Sequence, residues 1–537
     1  MTKKKKLAAR LMEKEYGSLP SGMYRHIKEA ASGYFRHHMS GFQIDDITWN
    51  DLDMDKVYER MDYTKSAAGS EVLYNFLRTP CFDKEELEHR HMIAEAVSDD
   101  SKIRTELSYL FMGIGNTGKY SLSDYLDYLE QVEMKSNVPQ ILVDLLYIPV
   151  IALLFYKPEI AVVLLFFLIC FSIMTYFSKK GKISAYLVSF AYILRMIKGA
   201  KLLIKKSYPF LEKEQTELKE SIRKLESFRR FSGIAMSMNN PMGSSDPFDV
   251  VIDYIRMIFH IDIMKFYQML NTVKKYRTDI EHMFYLMGYI DACMSIAFYR
   301  ASLTACCTPD FRSDTDENGV MDIENVYHPL LDHPVCNSIT IKQGVLLTGS
   351  NASGKSTFLK TMAINAILSQ SIYTCLADRW HALFVKTMSS MALKDDVVQG
   401  QSYFMVEIKA LKRILDECRQ SDKRVLCIVD EVLRGTNTVE RIAAACQIMK
   451  TLQNDNTICL AATHDIELTE LLEGQYDNYH FEETIEDDDI RFHYELKEGP
   501  ATTRNAIKLL QMLGYQEDIT KAAEEMAETF FKDGKWK

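Results

Sequence analysis

The stretch Val345–Thr357, VLLTGSNASGKST, constrains the fold more than any other part of the chain. An apolar segment runs directly into a loop in which Gly349 and Gly354 bracket four residues and are followed by Lys355 and Ser356. At this spacing, successive backbone N–H groups can surround a phosphate, and the pattern that follows predicts a helix whose N-terminus faces the anion. The sequence therefore predicts a strand, a phosphate-binding loop and a helix in direct succession.

This loop supplies most of the candidate ligands for a nucleotide. Lys355 should reach the terminal phosphates, and Ser356 should ligate Mg²⁺ through its hydroxyl. The predicted nucleotide-binding residues in this stretch are Gly349, Ser350, Asn351, Ala352, Ser353, Gly354, Lys355, Ser356 and Thr357. The alternative is a chance glycine-rich turn, which the strand pattern before it and the helix pattern after it disfavour.

Two later apolar runs carry further candidate residues. Arg424–Glu431 (RVLCIVDE) is typical of a buried parallel strand, and it ends in two carboxylates at the edge where α/β sheets bind ligands. Asp430 is suited to the Mg²⁺ shell, and Glu431 is suited to polarise an attacking water as general base. A second strand pattern, Thr457–Thr463, delivers His464 to the position of a γ-phosphate sensor. A lone His is usually structural, but the loop upstream favours a functional role.

Length and composition indicate several domains. With 537 residues and 47% hydrophobic content, the chain is too long for a single core. The pattern predicts a fold of the α plus α/β class, because helical spacing gives way to alternating strands and helices after a polar connector at 309–318. The predicted segments are a basic helical segment (1–43), a helical core (44–137), an apolar hairpin (138–182), a helical lever region (183–308) and an α/β domain (309–537).

Two apolar runs predict a helical hairpin that crosses a membrane. Val138–Phe155 and Ile160–Phe177 are each roughly 27 Å long as helices, close to the hydrocarbon thickness of a bilayer. Lysines follow the second run, so the positive-inside tendency places both termini and the α/β domain in the cytoplasm, with the hairpin in the cytoplasmic membrane. The alternative is a buried hairpin in a soluble domain, since both runs are slightly short and Pro149 interrupts the first.

The net charge of −10 gives the chain no overall attraction to nucleic acid. Any contact with DNA must therefore come from local basic patches, which would bind phosphates in a sequence-independent and salt-sensitive way. The candidates in the helical region are Lys201, Lys205, Lys206, Arg229 and Arg230.

Four motifs, in this order, resemble the ATPase domain of the MutS family of DNA mismatch-repair proteins, a branch of the ABC-type ATPases. TGSNASGKST resembles the family's phosphate loop, and GQSYFMVEI (Gly400–Ile408) its serine-bearing signature. VDEVLRGTNTVER resembles its Walker B and following loop, and AATHDIELTEL its histidine loop. Upstream, TKSAAGSEVLYNFLRTP is similar to the family's helical core, and MGYIDACMSIAFYR to the end of its lever helices. The resemblance implies an enzyme that hydrolyses ATP with Mg²⁺.

The resemblance also implies a homodimer with shared active sites. Ser402 of one subunit would cap the γ-phosphate bound to the other, and residues 434–438 would lie along the same interface. Nucleotide would then close the two lobes and gate a helical clamp on double-stranded DNA. The loop departs from the family's pattern at Ser350, where Pro is common, and at Ser353, where Gly is frequent.

The N-terminus departs further from the family. Members that read mismatches carry an N-terminal domain with a Phe-x-Glu wedge, and residues 1–43 have neither this motif nor the length for the domain. The sequence looks like a short MutS-related protein with a membrane hairpin, and we expect DNA binding without mismatch preference. Two alternatives remain. One is a nucleotide-gated membrane scaffold without DNA binding; the other, less favoured, is an ABC-type transport ATPase, for which two spans are too few and an LSGGQ-like signature is missing.

Overall fold

The computed structural model describes residues 10–20, 28–183, 186–226, 254–312, 321–350, 352–391, 403–433, 436–486, 489–501, 506–512 and 514–533. The chain divides into two compact units, each assembled from separate stretches. The first unit comprises Met1–Met39, Met61–Asn75 and His91–Ser302; the second comprises Ser40–Arg60, Phe76–Arg90 and Leu303–Lys537. Two short N-terminal stretches thus belong to the C-terminal unit, which the sequence pattern does not indicate.

Helices dominate the first unit and also cover the sheet of the second. In chain order they are α1 (Lys28–Ala31), α2 (Gly33–His37), α3 (Asp46–Asp51), α4 (Met54–Met61), α5 (Ala67–Arg78), α6 (Lys84–Asp99), α7 (Ser101–Ile114), α8 (Leu122–Gln131), α9 (Val138–Leu153), α10 (Pro158–Ile183), α11 (Leu187–Leu203), α12 (Glu212–Lys224), α13 (Ile261–Lys275), α14 (Arg277–Ser302), α15 (Lys355–Ile372), α16 (Tyr403–Gln420), α17 (Thr438–Leu452), α18 (Glu467–Leu471), α19 (Ala506–Met512) and α20 (Glu517–Asp533).

The second unit contains the described strands, in two sheets. The strands are β1 (Asp310–Phe311), β2 (Met321–Val326), β3 (Asn337–Ile341), β4 (Gly344–Thr348), β5 (Arg379–Ala382), β6 (Val385–Ser390), β7 (Arg424–Asp430), β8 (Thr457–Ala462), β9 (Tyr476–Glu486) and β10 (Asp489–Glu498). The smaller sheet has the order β1-β5-β2-β3, and the larger sheet has the order β10-β9-β4-β8-β7-β6. The mixed α and α/β class expected from the sequence is confirmed.

The larger sheet is parallel except at its β10 edge. Strands β4, β8, β7 and β6 pair in parallel, β9 joins β4 in parallel, and β10 is antiparallel to β9. Strands β4 and β8 are buried throughout because helices cover both faces, as continuous apolar runs predict. Along β7, Val425, Cys427 and Val429 pack in the apolar cluster formed with α16 and α17. The carboxyl ends of β4, β7 and β8 therefore share one edge.

Polar side chains fix helix packing in the first unit. On α14, Asp291 accepts hydrogen bonds from the backbone N–H of Ser66 at 2.9 Å and from its hydroxyl at 2.6 Å. Ser295 accepts from the backbone N–H of Tyr63 at 2.8 Å. Gly69 permits this approach, since a Cβ added there would lie 2.3 Å from the Asp291 carboxylate. The start of α5 is thereby anchored to α14.

The two apolar runs form a helical hairpin, α9 and α10. The hydroxyl groups of Tyr147 and Ser172 lie 2.9 Å apart between its arms. Among the described residues, Pro158–Lys180 is the one helix long and apolar enough to cross a membrane, with a mean hydropathy of 2.7. Only 17% of its most apolar window is buried, so the hairpin does not form the interior of the first unit. The first arm, α9, is shorter, at roughly 24 Å.

Candidate active site

The loop between β4 and α15 is shaped by two glycines in left-handed backbone conformations. Gly349 has φ of 138° and Gly354, the N-cap of α15, has φ of 113°. A Cβ added at Gly349 would lie 2.5 Å from the carbonyl oxygen of Phe481 on β9. Glycine is therefore required at this position both by φ and by the close approach of the neighbouring strand. The loop delivers the N-terminal N–H groups of α15 to the shared edge of the sheet.

Lys355, the first residue of α15, is held over this loop. Its ammonium group donates to the carbonyl oxygens of Gly349 at 2.8 Å and Ser350 at 2.7 Å, and only 5% of the residue is exposed. A buried ammonium group needs such partners, and an incoming phosphate can replace them. The buried hydroxyl of Ser353 has no hydrogen-bond partner among the described residues. The loop thus offers donors for an anion.

The two carboxylates predicted at the end of β7 lie at this edge. Asp430 is the last residue of β7 and is buried. Glu431 follows in a left-handed conformation, with φ of 57°, and its N–H donates to the carbonyl oxygen of Ala462 on β8 at 2.9 Å. The Glu431 Oε1 atom lies 2.9 Å from Nε2 of His464, whose side chain is 37% exposed. The fold brings Glu431 and His464, from separate strands, into direct contact.

The phosphate-binding loop, Glu431 and His464 line one cavity of about 570 Å³. The predicted residues in its lining are Ala352, Ser353, Gly354, Lys355, Ser356, Thr357, Glu431 and His464. Gly349 and Ser350 belong to the same loop, and Asp430 precedes Glu431. Asn351, Ser402 and residues 434–435 lie outside the described residues. The donor set fits a nucleotide with Mg²⁺, which binds through one or two protein oxygens together with phosphates and water.

Comparison with known proteins places this region in a family. Residues 345–531 match the model of MutS domain V. This region belongs to the MutS family. Domain V is the ATPase domain of that family, so the resemblance to the MutS family seen in the sequence is confirmed.

Curated relatives match the C-terminal half of the chain. DNA mismatch repair protein MutS of Natronomonas pharaonis is 29% identical over 248 residues, which cover 44% of this chain and 28% of the relative. MutS of Lactobacillus helveticus is 30% identical over 274 residues, 49% of this chain and 31% of the relative. MutS of Thermus thermophilus is 31% identical over 183 residues, 34% of this chain and 22% of the relative. The match therefore spans less than a third of each of these relatives.

The MutS domain V also carries aromatic residues that sequence reasoning missed. Phe481 on β9 and Tyr494 on β10 line the cavity, and Tyr494 lies beside Gly354, 3.1 Å from a Cβ added there. Asn337 holds Tyr494 in place: its amide donates to the Tyr494 carbonyl at 3.0 Å and accepts from the N–H of Leu496 at 2.7 Å. The exposed Tyr494 ring offers a stacking surface at the mouth of the cavity. Strand periodicity alone gives no signal for this placement.

A second missed residue is His328, which lines the same cavity and is buried. Its Nδ1 atom accepts a hydrogen bond from the N–H of Leu330 at 3.2 Å. Burial, followed by the positive charge of Lys360, lowers the pKa of His328 to about 4. The imidazole is therefore neutral at physiological pH, and the tautomer with Nε2 protonated is fixed by the contact at Nδ1.

An ion pair supports the segment that bears His464 in this MutS domain V. The guanidinium Nε of Arg441 donates to Asp465 at 3.0 Å in a two-bond contact. The backbone N–H of Asp465 donates to the hydroxyl of Thr463 at 3.0 Å, and the N–H of Thr463 bonds to Leu347 on β4. His464 is thus held between two anchored neighbours, so its contact with the general-base candidate is preorganised.

Proposed function

We propose that this chain is a MutS-like ATPase that binds and hydrolyses ATP with Mg²⁺. The observation that carries the proposal is the 2.9 Å contact between Glu431 and His464, in one cavity with the N-terminus of α15. Lys355 and the N–H groups of the loop would hold the phosphates. Ser356 and Asp430 would hold Mg²⁺, which neutralises charge on the phosphate oxygens when bound.

In the proposed reaction, water attacks the γ-phosphorus and the bond to the bridging oxygen of ADP breaks. Glu431 accepts the proton of the attacking water as general base. The imidazole of His464 orients this carboxylate through Nε2 and senses the γ-phosphate. Lys355 and the positive end of α15 stabilise the charge that develops on the phosphate oxygens and on ADP.

ATP turnover by the full chain is the direct test. We expect hydrolysis that requires Mg²⁺ and that stops when EDTA is added. A folded chain that binds neither ATP nor ADP in the presence of Mg²⁺ would overturn the proposal. Lys355→Ala is the control, because it removes the phosphate-binding ammonium group and should weaken nucleotide binding itself.

We propose further that the chain acts as a homodimer, in which Ser402 of one subunit caps the γ-phosphate held by the other. The basis is the resemblance of Gly400–Ile408 to the family's serine-bearing signature. Closure of two such sites by nucleotide would bring the helical units together. The helical units of the dimer would then bind around an elongated partner in an ATP-dependent way.

Double-stranded DNA is the partner we propose for this clamp, because the relatives are DNA mismatch repair proteins. Basic residues of the helical region can contact phosphates only in a sequence-independent way, so we propose that affinity is nearly equal for mismatched and paired duplexes. Fluorescence anisotropy with both duplexes at one salt concentration, with and without ATP, tests this. A preference for the mismatch above about tenfold, roughly 1.4 kcal/mol, would contradict it.

A nucleotide-gated membrane scaffold without DNA binding is the second candidate function. The observation that favours it is the pairing of two of the proposed phosphate-binding lysines with acids of their own unit. Lys206 lies 2.5 Å from Glu106, and Lys201 lies 3.6 Å from Glu226. Such pairs reduce the charge available to DNA, while residues 229–230 lie outside the described part of the chain. No ATP-dependent DNA binding in the anisotropy series would favour the scaffold.

We also propose that α9 and α10 tether the protein to the cytoplasmic membrane, with both termini and the ATPase domain in the cytoplasm. The apolar and mostly exposed surface of Pro158–Lys180 supports this proposal, since water cannot solvate it favourably. The shorter first arm would need local thinning of the bilayer to span the hydrocarbon region.

A further inference from the structure

A buried carboxylate on β9 contacts the phosphate-binding loop. The hydroxyl of Ser350 donates to Oε2 of Glu483 at 2.7 Å. Glu483 is only 6% exposed and is paired in the sheet with Phe492 on β10. We propose that this contact, the Ser350–Glu483 latch, positions the phosphate-binding loop for nucleotide. Glu483 is then a positioning residue of the ATPase site, and this inference rests on the proposed function.

The latch acts on the residue that also holds the lysine. The carbonyl oxygen of Ser350 accepts from the ammonium group of Lys355 at 2.7 Å, so the Ser350 side chain and backbone are fixed by different partners. Two residues earlier on β9, the Phe481 carbonyl approaches the backbone of Gly349. Strand β9 therefore contacts two successive loop residues, one through its backbone and one through a side chain.

This arrangement predicts an effect on binding more than on chemistry. A loop that is already ordered loses less conformational entropy when phosphates bind, so its affinity is higher. Once nucleotide is bound, the phosphates themselves hold the loop, and the rate of the chemical step depends less on the latch. Loss of the latch should therefore raise KM and the Kd for ATP and ADP, and should leave kcat within about twofold.

A competing effect of Glu483 is purely electrostatic, because a carboxylate near the loop repels phosphates. The latch raises the affinity for nucleotide, whereas charge repulsion lowers it. Glu483→Gln keeps an oxygen that accepts the Ser350 hydroxyl and removes the negative charge. If the latch is the main role, this variant should bind nucleotide within about threefold of the wild type. If charge repulsion is the main role, removing the carboxylate should tighten binding in every Glu483 variant.

The test is a double-mutant cycle on the full chain, read as the Kd of fluorescent ATP and ADP analogues with Mg²⁺. Ser350→Ala and Glu483→Ala should each weaken binding about tenfold, or about 1.4 kcal/mol. The double variant should be no weaker than either single variant, because both remove one interaction. The matched control is Glu482→Ala on the same strand, whose carboxylate pairs with Lys497 and should not affect binding.

The outcomes separate the latch from the proposed ATPase function. If the folded wild type binds no nucleotide, both are overturned. If the wild type binds nucleotide and Lys355→Ala does not, the proposed ATPase site is supported. The latch alone is then overturned if Ser350→Ala binds nucleotide with wild-type affinity. It is also overturned if the losses of binding free energy in the two single variants add up in the double variant. A Glu483→Gln variant as weak as Glu483→Ala also overturns it. Thermal melting verifies that each variant folds. If Glu483→Ala does not fold, the nucleotide affinities of the two single variants Ser350→Ala and Glu483→Gln test the latch.

Discussion

At the scale of single residues, Glu431 is the group on which hydrolysis should depend most. Its carboxylate contacts His464, and the proposed phosphate ligands are other groups, Lys355 and the N–H groups of the loop. Glu431→Gln should therefore abolish most ATP hydrolysis, by about 10²-fold or more, while ATP binding stays within a few-fold of the wild type. Phosphate release and binding of a fluorescent ATP analogue measure the two properties. Hydrolysis at the parental rate would show that Glu431 is not the base.

His328 should make stability depend on pH. Its pKa is lowered to about 4 in the folded chain, against an ordinary value of 6.5, by burial and by Lys360. Between pH 6.5 and 4 the unfolded chain binds a proton that the folded chain excludes, so the free energy of unfolding should fall as pH is lowered. His328→Gln cannot titrate and should show a smaller loss over this window. Urea unfolding of both proteins at pH 7 and 4.5 tests this, and identical losses would contradict it.

The residues that the sequence identified are those whose chemistry is local. The loop at Gly349–Thr357 is a continuous motif, and Asp430 and Glu431 follow an apolar run, so neighbouring residues give their context. Glu483 and Tyr494 could not be found in this way. Their roles arise from the pairing of β9 with β4 and with β10, and strand periodicity does not state which strands become neighbours.

At the scale of elements, the strands that were predictable are those buried on both faces. Strands β7 and β8 are continuous apolar runs and were expected at nearly their observed positions. Strands β9 and β10 mix charged, aromatic and polar residues, because β10 is an edge strand, β9 lies next to it, and both are partly exposed. Strands of this mixed composition resemble loops or helices in sequence, although here each contributes an aromatic residue to the lining of the cavity.

The hairpin of α9 and α10 gives a prediction at the same scale. If it lies in the bilayer, the intact protein should stay in the membrane fraction after salt and carbonate washes and be released by detergent. Deletion of residues 138–177 should release the protein into the soluble fraction. Sedimentation followed by immunoblotting provides the measurement, with nucleotide binding as the control for folding of the deletion variant. Release of the intact protein by carbonate would argue against insertion.

At the scale of the whole molecule, the composite active site predicts complementation between defective subunits. Lys355→Ala removes the phosphate ligand of its own subunit, and Ser402→Ala removes the cap supplied to the partner. A heterodimer of the two variants should keep one intact site and recover up to about half of the wild-type ATPase activity, whereas each homodimer stays inactive. Differently tagged subunits purified in tandem allow the measurement. A fully inactive heterodimer would contradict the proposal of a shared active site.

Sequence patterns located the ATPase domain, but they did not show that Ser40–Arg60 and Phe76–Arg90 belong to the same compact unit. In α3, the hydroxyl of Thr48 accepts from the N–H of Ser389 at 3.1 Å, and the carboxylate of Asp51 accepts from the Ser389 hydroxyl at 2.6 Å. Helical periodicity near residue 50 says only that a buried face exists there. It cannot say that the buried face packs on β6, because that information resides in the complementary shapes of two distant segments.

This long-range packing has a consequence for the order of events during synthesis. Asp51 and Ser389 are separated by 338 residues, so at about 5–20 residues per second the ribosome needs roughly 20–70 s to supply the partner of α3. Throughout that interval the buried face of Ser40–Arg60 has no sheet to cover it. The buried face of α3 therefore stays uncovered until β6 has been synthesised, and a ribosome that stalls before β6 leaves α3 without its packing partner.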